Sequence, residues 1–302
     1  MDYPEIKARI RKLCEEREAV ILAHYYVRDD VQELADFVGD SLELSRQAAA
    51  TKAKVIVFCG VDFMAETAKV LSPEKMVLIP DARACCPMAN MLMPKELRRY
   101  KEENPDTLVV AYVNCSAEIK AESYICCTSA NAEKVVASLP KDKKILFVPD
   151  KNLGSYIRKK LGRDYEVWPG FCPTHHRFTL KDLLAARAAH PEAEVLVHPE
   201  CEEEVSAAAD FVGSTSAIIK RCQESSAPEF IIGTEEGVLK TIREKAKNKP
   251  SYPLLPGNIC NNMKLMTPQK VLWCLEDLEF QINVPKDICE RAKIALDRML
   301  AL

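Results

Sequence analysis

The sequence has no long hydrophobic run and no large excess of charge of either sign. Its longest apolar stretches, such as VIVFCGV at 55–61, have the length of a β-strand and fall far short of the roughly 20 residues that a membrane-spanning helix needs. The formal net charge of −3 argues against a general nucleic-acid-binding protein, because phosphate neutralisation requires a basic face. The charged start, MDYPEIKARIRKLCEE, predicts an amphipathic helix rather than an export signal. We therefore expect a cytoplasmic protein that acts on small molecules, without nucleic-acid or membrane partners.

Cysteine is abundant instead. The chain of 302 residues contains 13 cysteines, an odd number for a disulfide framework, and a reducing cytosol keeps thiols unpaired. Metal binding or catalysis is therefore the better interpretation for some of them. Others lie in apolar helical or strand-like contexts and are predicted to be buried packing residues. These are Cys14, Cys59, Cys126, Cys127, Cys222, Cys274 and Cys289.

Short continuous runs of β-branched and other apolar residues alternate with stretches that have helical spacing of apolar positions. The runs are VILAHYY, VIVFCGV, LVVAYVN, KILFVPD, EVLVHPE and EFIIGTE. Continuous rather than alternating apolar strands are typical of parallel sheets that are covered by helices on both faces. The pattern predicts an α/β protein with doubly wound layers.

The same landmarks recur three times along the chain. A strand that ends in polar residues occurs as HYY at 24–26, YVN at 112–114 and HPE at 198–200, with steps of 88 and 86 residues. The pentapeptide ADFVG occurs at both 35–39 and 209–213. The repeat predicts three similar αβα sandwich units about a pseudo-threefold axis, with the active site at the centre. We assign residues 1–86, 87–172 and 173–264 to the three units, and expect the helices of residues 265–302 to join the first.

In each unit a further strand runs into a cysteine, and the repeat aligns Cys86, Cys172 and Cys260. Equivalent loops converge on a pseudo-threefold axis, so the three thiolates should meet at one point. Three sulfur ligands without a fourth suit a [4Fe–4S] cluster that has one open iron, because a structural zinc site would require four ligands. An open iron is a Lewis acid and favours dehydration or condensation over electron transfer. Cys85 is then a bystander.

The same symmetry brings the polar residues at the three strand ends towards this point, where ligand sites of open α/β sheets lie. They are His24, Tyr26, Tyr112, Asn114, His198 and Glu200. Hydroxyl residues open a helix in each unit, at Ser41, Ser129 and Thr215. A hydroxyl at that position caps the helix or helps its N-terminus to bind phosphate or carboxylate, and the sequence leaves both roles open.

The motifs together resemble one known family, quinolinate synthase. They include AHYY, ADFVGDS, GVDFMAE, CPMAN, CTSANA, VHPEC, GSTS and GTE.G, and they extend in order from about residue 20 to 265. The resemblance implies an enzyme of NAD biosynthesis that condenses iminoaspartate with dihydroxyacetone phosphate to quinolinate and releases phosphate and two waters. It also implies one [4Fe–4S] cluster per chain, held by Cys86, Cys172 and Cys260, and an aspartate-oxidising enzyme as a functional partner.

The resemblance also assigns site residues. Those expected to be catalytic are Glu200, Tyr26, His24, Tyr112 and His175, and those expected to bind substrate are His24, Ser41, Tyr112, Asn114, Ser129, His198, Glu200, Ser214 and Thr215. We interpret Glu200 as the general acid and base, with Tyr26 as its partner. Two alternatives stay open at this stage: an open-iron hydro-lyase that acts on a small hydroxy acid, and a non-enzymatic iron or redox sensor in which loss of Glu200 would be harmless.

Overall fold

A computed structural model describes residues 1–246 and 249–302 and contains three parallel four-stranded sheets. The first sheet has strands β1 Ala19–His24, β2 Phe37–Gly39, β3 Val55–Cys59 and β4 Met76–Leu78, accompanied by helices α1 Tyr3–Arg17, α2 Asp29–Gln32, α3 Ser41–Ala50 and α4 Asp62–Leu71. The second has β5 Leu108–Tyr112, β6 Ile125–Cys127, β7 Ile145–Val148 and β8 Glu166–Val167, with α5 Pro94–Glu103, α6 Ala117–Glu122, α7 Ala132–Ser138 and α8 Lys151–Leu161. The third has β9 Glu194–Val197, β10 Phe211–Val212, β11 Phe230–Gly233 and β12 Ser251–Pro253, with α9 Leu180–Ala189, α10 Glu203–Ala208, α11 Thr215–Glu224 and α12 Val238–Lys245.

The strand order is the same in all three sheets. It is β2-β1-β3-β4 in the first, β6-β5-β7-β8 in the second and β10-β9-β11-β12 in the third. The predicted α/β class and the three similar αβα units are therefore confirmed. In each sheet the chain moves first to one side of its starting strand and then to the other, which creates a switch point between the first and third strands. Loops that leave these two strands diverge there and open a crevice.

Burial explains why the central strands read as continuous apolar runs. All residues of β3, β7 and β11 are buried, since helices cover both faces of each sheet. As predicted, the seven cysteines assigned to packing are buried. Among the residues described, none of the helices combines the length and apolar character that a membrane span requires.

The units meet one another through the same kind of contact. Helix α6 of the second unit packs against α4 of the first, and α10 of the third packs against α8 of the second. On the remaining side, the amide of Gln32 in α2 donates 3.0 Å to the carbonyl of Gly237, which precedes α12. The three interfaces thus follow one cyclic pattern, which directs the crevices of the three sheets towards a common centre.

The chain ends in helices α13 Pro268–Asp277 and α14 Lys286–Leu300. Helix α13 packs on α1 and β3 of the first unit, as expected. Helix α14 needs a correction, because it lies mainly against α6 and β6 of the second unit and also contacts α4 of the first. Its buried stripe, which includes Ala292, Leu296 and Met299, extends a hydrophobic core that the first two units share. Helical periodicity marks such a stripe but not the surface that covers it.

Candidate active site

A cavity lies between the three units and receives side chains from each of them. The predicted site residues that line it are His24, Tyr26, Ser41, Cys86, Tyr112, Asn114, Ser129, Cys172, His175, His198, Glu200, Thr215 and Cys260. Most of them follow the first strand of a sheet or belong to the cysteine loop of a unit. The shared topology brings these segments together although they are far apart in sequence.

The three cysteine loops have the same local structure. Each cysteine is followed three residues later by a short 3₁₀ helix, and these helices are Ala89–Met91, His175–Arg177 and Met263–Leu265. The first N–H of each helix donates to the sulfur of its cysteine, from Ala89 to Cys86, from His175 to Cys172 and from Met263 to Cys260. Such bonds favour the thiolate, the form that binds metals.

Burial acts in the opposite direction and raises the pKa of all three thiols. Without a bound cation the thiols are therefore protonated at neutral pH, and metal binding would release their protons. None of the three forms a disulfide in the part of the chain that the structure describes. The donor set, three soft sulfurs that face one cavity and accept backbone N–H groups, fits an iron–sulfur cluster.

The histidines at two of the strand ends are held in the same way. The ring nitrogen Nδ1 of His24 accepts the backbone N–H of Tyr26 at 3.2 Å, and Nδ1 of His198 accepts that of Glu200 at 3.3 Å. Burial lowers the pKa of each imidazole to about 3, so both are neutral at pH 7. With Nδ1 as acceptor, the proton of each ring resides on Nε2. That N–H of His198 donates to the hydroxyl of Ser129 at 3.1 Å.

Glu200 is 3% exposed and lies among histidines. One carboxylate oxygen is 2.7 Å from Nδ1 of His175 and 3.7 Å from Nδ1 of His198, and the hydroxyl of Tyr112 donates to the same carboxylate. Burial disfavours the charged form, but His175 and the tyrosine hydroxyl outweigh it and lower the pKa of Glu200 below its usual value. The carboxylate is thus ionised, with a proton donor at hydrogen-bonding distance.

A chain of hydrogen bonds connects this carboxylate to Tyr26. The Tyr26 hydroxyl is 2.7 Å from the hydroxyls of Thr215 and Thr234, and the Thr234 hydroxyl is 2.8 Å from Nε2 of His175. His175 is 1% exposed, and its opposite nitrogen contacts Glu200. Burial raises the pKa of Tyr26 well above its usual value, so the phenol keeps its proton. The arrangement can pass a proton between Tyr26 and Glu200 without bulk water.

Two of the helix-opening hydroxyls, those of Ser41 and Thr215, directly follow the residue that caps their helix. Asp40 caps α3 by accepting the N–H groups of Leu42 and Glu43, and Ser41 follows it in the first turn. Ser214 caps α11 through the N–H of Ala217, which places Thr215 in the first turn. Ser41 and Thr215 are therefore cavity residues rather than caps. Ser214, the remaining predicted site residue, does not line the cavity.

Comparison with known proteins agrees with this geometry. A family model described as "Quinolinate synthetase A protein" matches residues 8–301. The quinolinate synthase of Desulforudis audaxviator is 52% identical over 298 residues, which cover 99% of this chain and 98% of that protein. The quinolinate synthase of Methanosarcina barkeri is 50% identical over 302 residues, with 100% and 99% covered.

The chain belongs to the quinolinate synthase family. The family identified from the motifs is thereby confirmed, and with it the expectation of an enzyme. The alignments of this quinolinate synthase family member with these two relatives cover nearly the full length of both relatives.

Several cavity residues were not predicted. The additional lining residues are Asp40, Val61, Phe63, Met64, Thr128, Thr174 and Met263. Thr234, between Tyr26 and His175, also escaped prediction. Thr234 directly follows β11 and belongs to the GTE.G motif that supported the family resemblance. Its place in that motif is the signal that could have identified it as a site residue. Phe63, Met64 and Met263 contribute apolar surface to the cavity lining.

Proposed function

We propose that this protein is a quinolinate synthase, which condenses iminoaspartate with dihydroxyacetone phosphate and releases phosphate and two waters. One observation carries the proposal: three cysteines and six polar strand-end residues, two from each unit, line the same cavity in a chain about half identical to proteins of that name. The reaction is redox-neutral and consists of bond formation, proton transfers and loss of water and phosphate. It therefore requires a Lewis acid and paired proton donors and acceptors.

Cys86, Cys172 and Cys260 would hold one [4Fe–4S] cluster per chain. When bound, such a cluster supplies an open iron, a Lewis acid that polarises a substrate hydroxyl or ring nitrogen. The N–H groups that face the three sulfurs support this assignment, because hydrogen bonds to sulfur stabilise cluster ligands. The apolar lining residues Phe63, Met64 and Met263 would help to exclude bulk water from the polarised groups.

Proton transfer is assigned to the path from Tyr26 through Thr234 and His175 to Glu200. Because Nδ1 of His175 donates to the ionised carboxylate 2.7 Å away, the hydrogen bonds of the path are directed from Tyr26 to Glu200. The Tyr26 oxygen takes up a substrate proton as its own proton moves along the path, and Glu200 gains a proton that it gives to a leaving oxygen. Each transfer reverses the direction of the same hydrogen bonds, which leaves the number of protons in the path unchanged. Glu200 alone, with its lowered pKa, would be a weak base, so the pair with His175 is the acid and base unit.

Substrate anions are assigned to the remaining polar groups. The Nε2–H of His24 and the hydroxyl of Ser41 bind the phosphate of the triose, since a neutral imidazole that accepts at Nδ1 donates at Nε2. Asn114, Ser129, His198 and Thr215 bind the carboxylates of the imine. The amide oxygen of Asn114 is buried without a hydrogen-bond partner among the described residues and would accept from an N–H or O–H of the substrate, while the NH₂ of the same amide would donate to a carboxylate.

An imine of this kind hydrolyses in water, so an enzyme that oxidises the amine of aspartate must supply it. The imine is also obtained in a test tube from oxaloacetate and ammonia. The decisive assay reconstitutes the purified protein anaerobically with iron and sulfide, adds this mixture and dihydroxyacetone phosphate, and measures quinolinate by chromatography. Quinolinate formation would support the proposal, whereas turnover of a hydroxy acid without quinolinate would favour the hydro-lyase alternative.

Variants separate the cluster from the chemistry. Cys86→Ser, Cys172→Ser and Cys260→Ser should each lose bound iron and activity, whereas the neighbouring Cys85→Ser is the matched control and should retain both. Glu200→Gln should retain iron but lose turnover. A protein that binds no iron after reconstitution, or a Glu200→Gln variant with full activity, would refute the proposed mechanism.

A further inference from the structure

The third strand of every unit ends in a turn that carries an acidic residue. The three residues are Asp62, three residues after β3, and Asp150 and Glu235, two residues after β7 and β11, so they occupy similar though not identical positions of the repeat. Asp150 and Glu235 are fully buried. None of the three belongs to the predicted site residues or to the proton path, so the burial of Asp150 and Glu235 and the contacts of all three have a separate explanation.

Glu235 holds the loop of Cys260. One carboxylate oxygen accepts the backbone N–H of Cys260 at 3.0 Å, and the other accepts that of Gly237 at 2.7 Å. Lys264, four residues after the cysteine, forms an ion pair with Glu235 at 2.9 Å and donates to the carbonyl of Tyr26 at 2.6 Å. Glu235 and Lys264 therefore connect the cysteine loop of the third unit to the loop of the first unit that carries Tyr26.

Asp62 makes the equivalent contact in the first unit. Its Oδ1 accepts the backbone N–H of Cys86 at 3.3 Å and that of Phe63 at 2.8 Å. Its own N–H donates to the carbonyl of Ala84 at 2.8 Å, two residues before the cysteine. Side chain and backbone together therefore fix the loop on both sides of Cys85.

The second unit differs. Asp150 accepts the N–H groups of Asn152 and Leu153 and so caps α8. Its loop is held instead by backbone, since the N–H of Lys151 donates to the carbonyl of Gly170 at 2.7 Å. The carboxylate-to-cysteine contact is thus a feature of the first and third units.

We propose that Asp62 and Glu235 are positioning residues for the metal centre, each of which orients the backbone of a cysteine ligand by accepting its N–H. This inference rests on the proposed function, in which Cys86 and Cys260 hold a cluster. A loop fixed before the metal arrives loses less conformational freedom on binding, and groups that orient metal ligands typically change affinity about 10–100-fold when removed. Glu235 additionally keeps Tyr26 in register with the cysteine loop through Lys264.

The test compares variants at Asp62 that keep or remove the accepting oxygen. Asp62→Asn retains an oxygen at Oδ1, whereas Asp62→Ala leaves the two N–H groups without it. The proteins are reconstituted anaerobically, and the rate of iron loss to an added chelator is followed by the visible absorbance of the cluster. We expect Asp62→Ala to lose iron about ten-fold faster than the unaltered protein and Asp62→Asn to match the unaltered protein.

Glu235→Gln provides a second test. The NH₂ of the new amide must face one of the two N–H donors, and the substitution removes the charge that pairs with Lys264. It should also lose iron about ten-fold faster. Asp36→Ala is the matched control. The Asp36 carboxylate likewise accepts a strand N–H, that of Ile21 at 2.7 Å, but does not line the cavity, so iron retention should be unchanged. Circular dichroism of the metal-free proteins checks that each variant folds.

The outcomes are distinct. Rapid iron loss from Asp62→Ala and Glu235→Gln but not from Asp62→Asn supports the positioning role. Iron retention equal to that of the unaltered protein in both, or equal loss from the Asn and Ala variants at position 62, overturns it. Failure of the unaltered protein to bind iron overturns the proposed function itself, and is recognised before any variant is compared.

Discussion

Replacement of Thr234 by valine tests the proton path most directly. Valine has nearly the same shape as threonine, so the change removes the hydroxyl without creating a cavity. Thr234 is 2% exposed, and its hydroxyl lies 2.7 Å from the Tyr26 hydroxyl and 2.8 Å from Nε2 of His175. Tyr26 keeps a second partner in Thr215, whereas Nε2 of His175 loses the only partner recorded for it among the described residues.

The magnitude follows from this asymmetry. One buried polar group left without a partner costs about 1–3 kcal/mol. If that cost falls on the transition state, each 1.4 kcal/mol corresponds to about ten-fold in rate, so kcat/KM should fall about 5- to 150-fold. Cluster content should not change, because the hydrogen bonds found for the Thr234 hydroxyl among the described residues go to Tyr26 and His175 and not to a cysteine.

The assay measures quinolinate formation under anaerobic conditions with the imine in excess. Thr234→Ser restores the hydroxyl and should recover most of the activity. Thr241→Val is the matched control, since this buried threonine lies outside the cavity on α12. A Thr234→Val protein with normal iron content and unaltered kcat/KM would refute the proton path from Tyr26 to Glu200.

Two further predictions concern stability. Ser214 caps α11, so Ser214→Ala should lower the free energy of unfolding by about 1 kcal/mol and Ser214→Asn should restore it, as measured by thermal denaturation. A higher KM of Ser214→Ala without loss of stability would instead indicate a role in substrate binding. Asp81 lies in the loop before Cys86, and its hydrogen bonds from Arg83 and Lys270 hold its pKa well below the usual value. Its stabilising effect is therefore present above the unfolded pKa of about 3.9 and is lost as the pH falls below it. Asp81→Asn should cost about 1–3 kcal/mol at pH 7 and progressively less below pH ~4 in chemical denaturation of the metal-free protein, and a difference that is independent of pH would contradict this.

Much of the fold could be predicted because the repeat is visible in the sequence. The steps of 88 and 86 residues between His24, Tyr112 and His198 place these side chains at equivalent strand ends, and equivalent strand ends of a threefold arrangement must converge. The structure brings these residues and the three aligned cysteines into one cavity, although their individual roles stay predictions.

Contacts between units were beyond prediction. The Thr234 hydroxyl connects Tyr26, from another unit, with His175. Residues near Thr234 in the sequence do not indicate that these two side chains come close to it. The sequence left capping and ligand binding open for Ser41 and Thr215, and the structure assigns the caps to the preceding residues Asp40 and Ser214, which are also good capping residues. Helix α14 was expected to join the first unit; it contacts α4 of that unit but lies mainly against α6 and β6 of the second, and an apolar stripe does not by itself identify the surface that covers it.

The covalent connection of three like units has a consequence for the chemistry of an asymmetric substrate. A ring of three identical subunits would present the same side chain three times around its axis. Here one chain encodes all three copies, so that a single strand-end position is imidazole at 24, phenol at 112 and imidazole at 198, and the position two residues later is phenol, amide and carboxylate. Because each unit is encoded separately, equivalent positions can carry different side chains. A nearly threefold scaffold thereby surrounds its centre with chemically different groups.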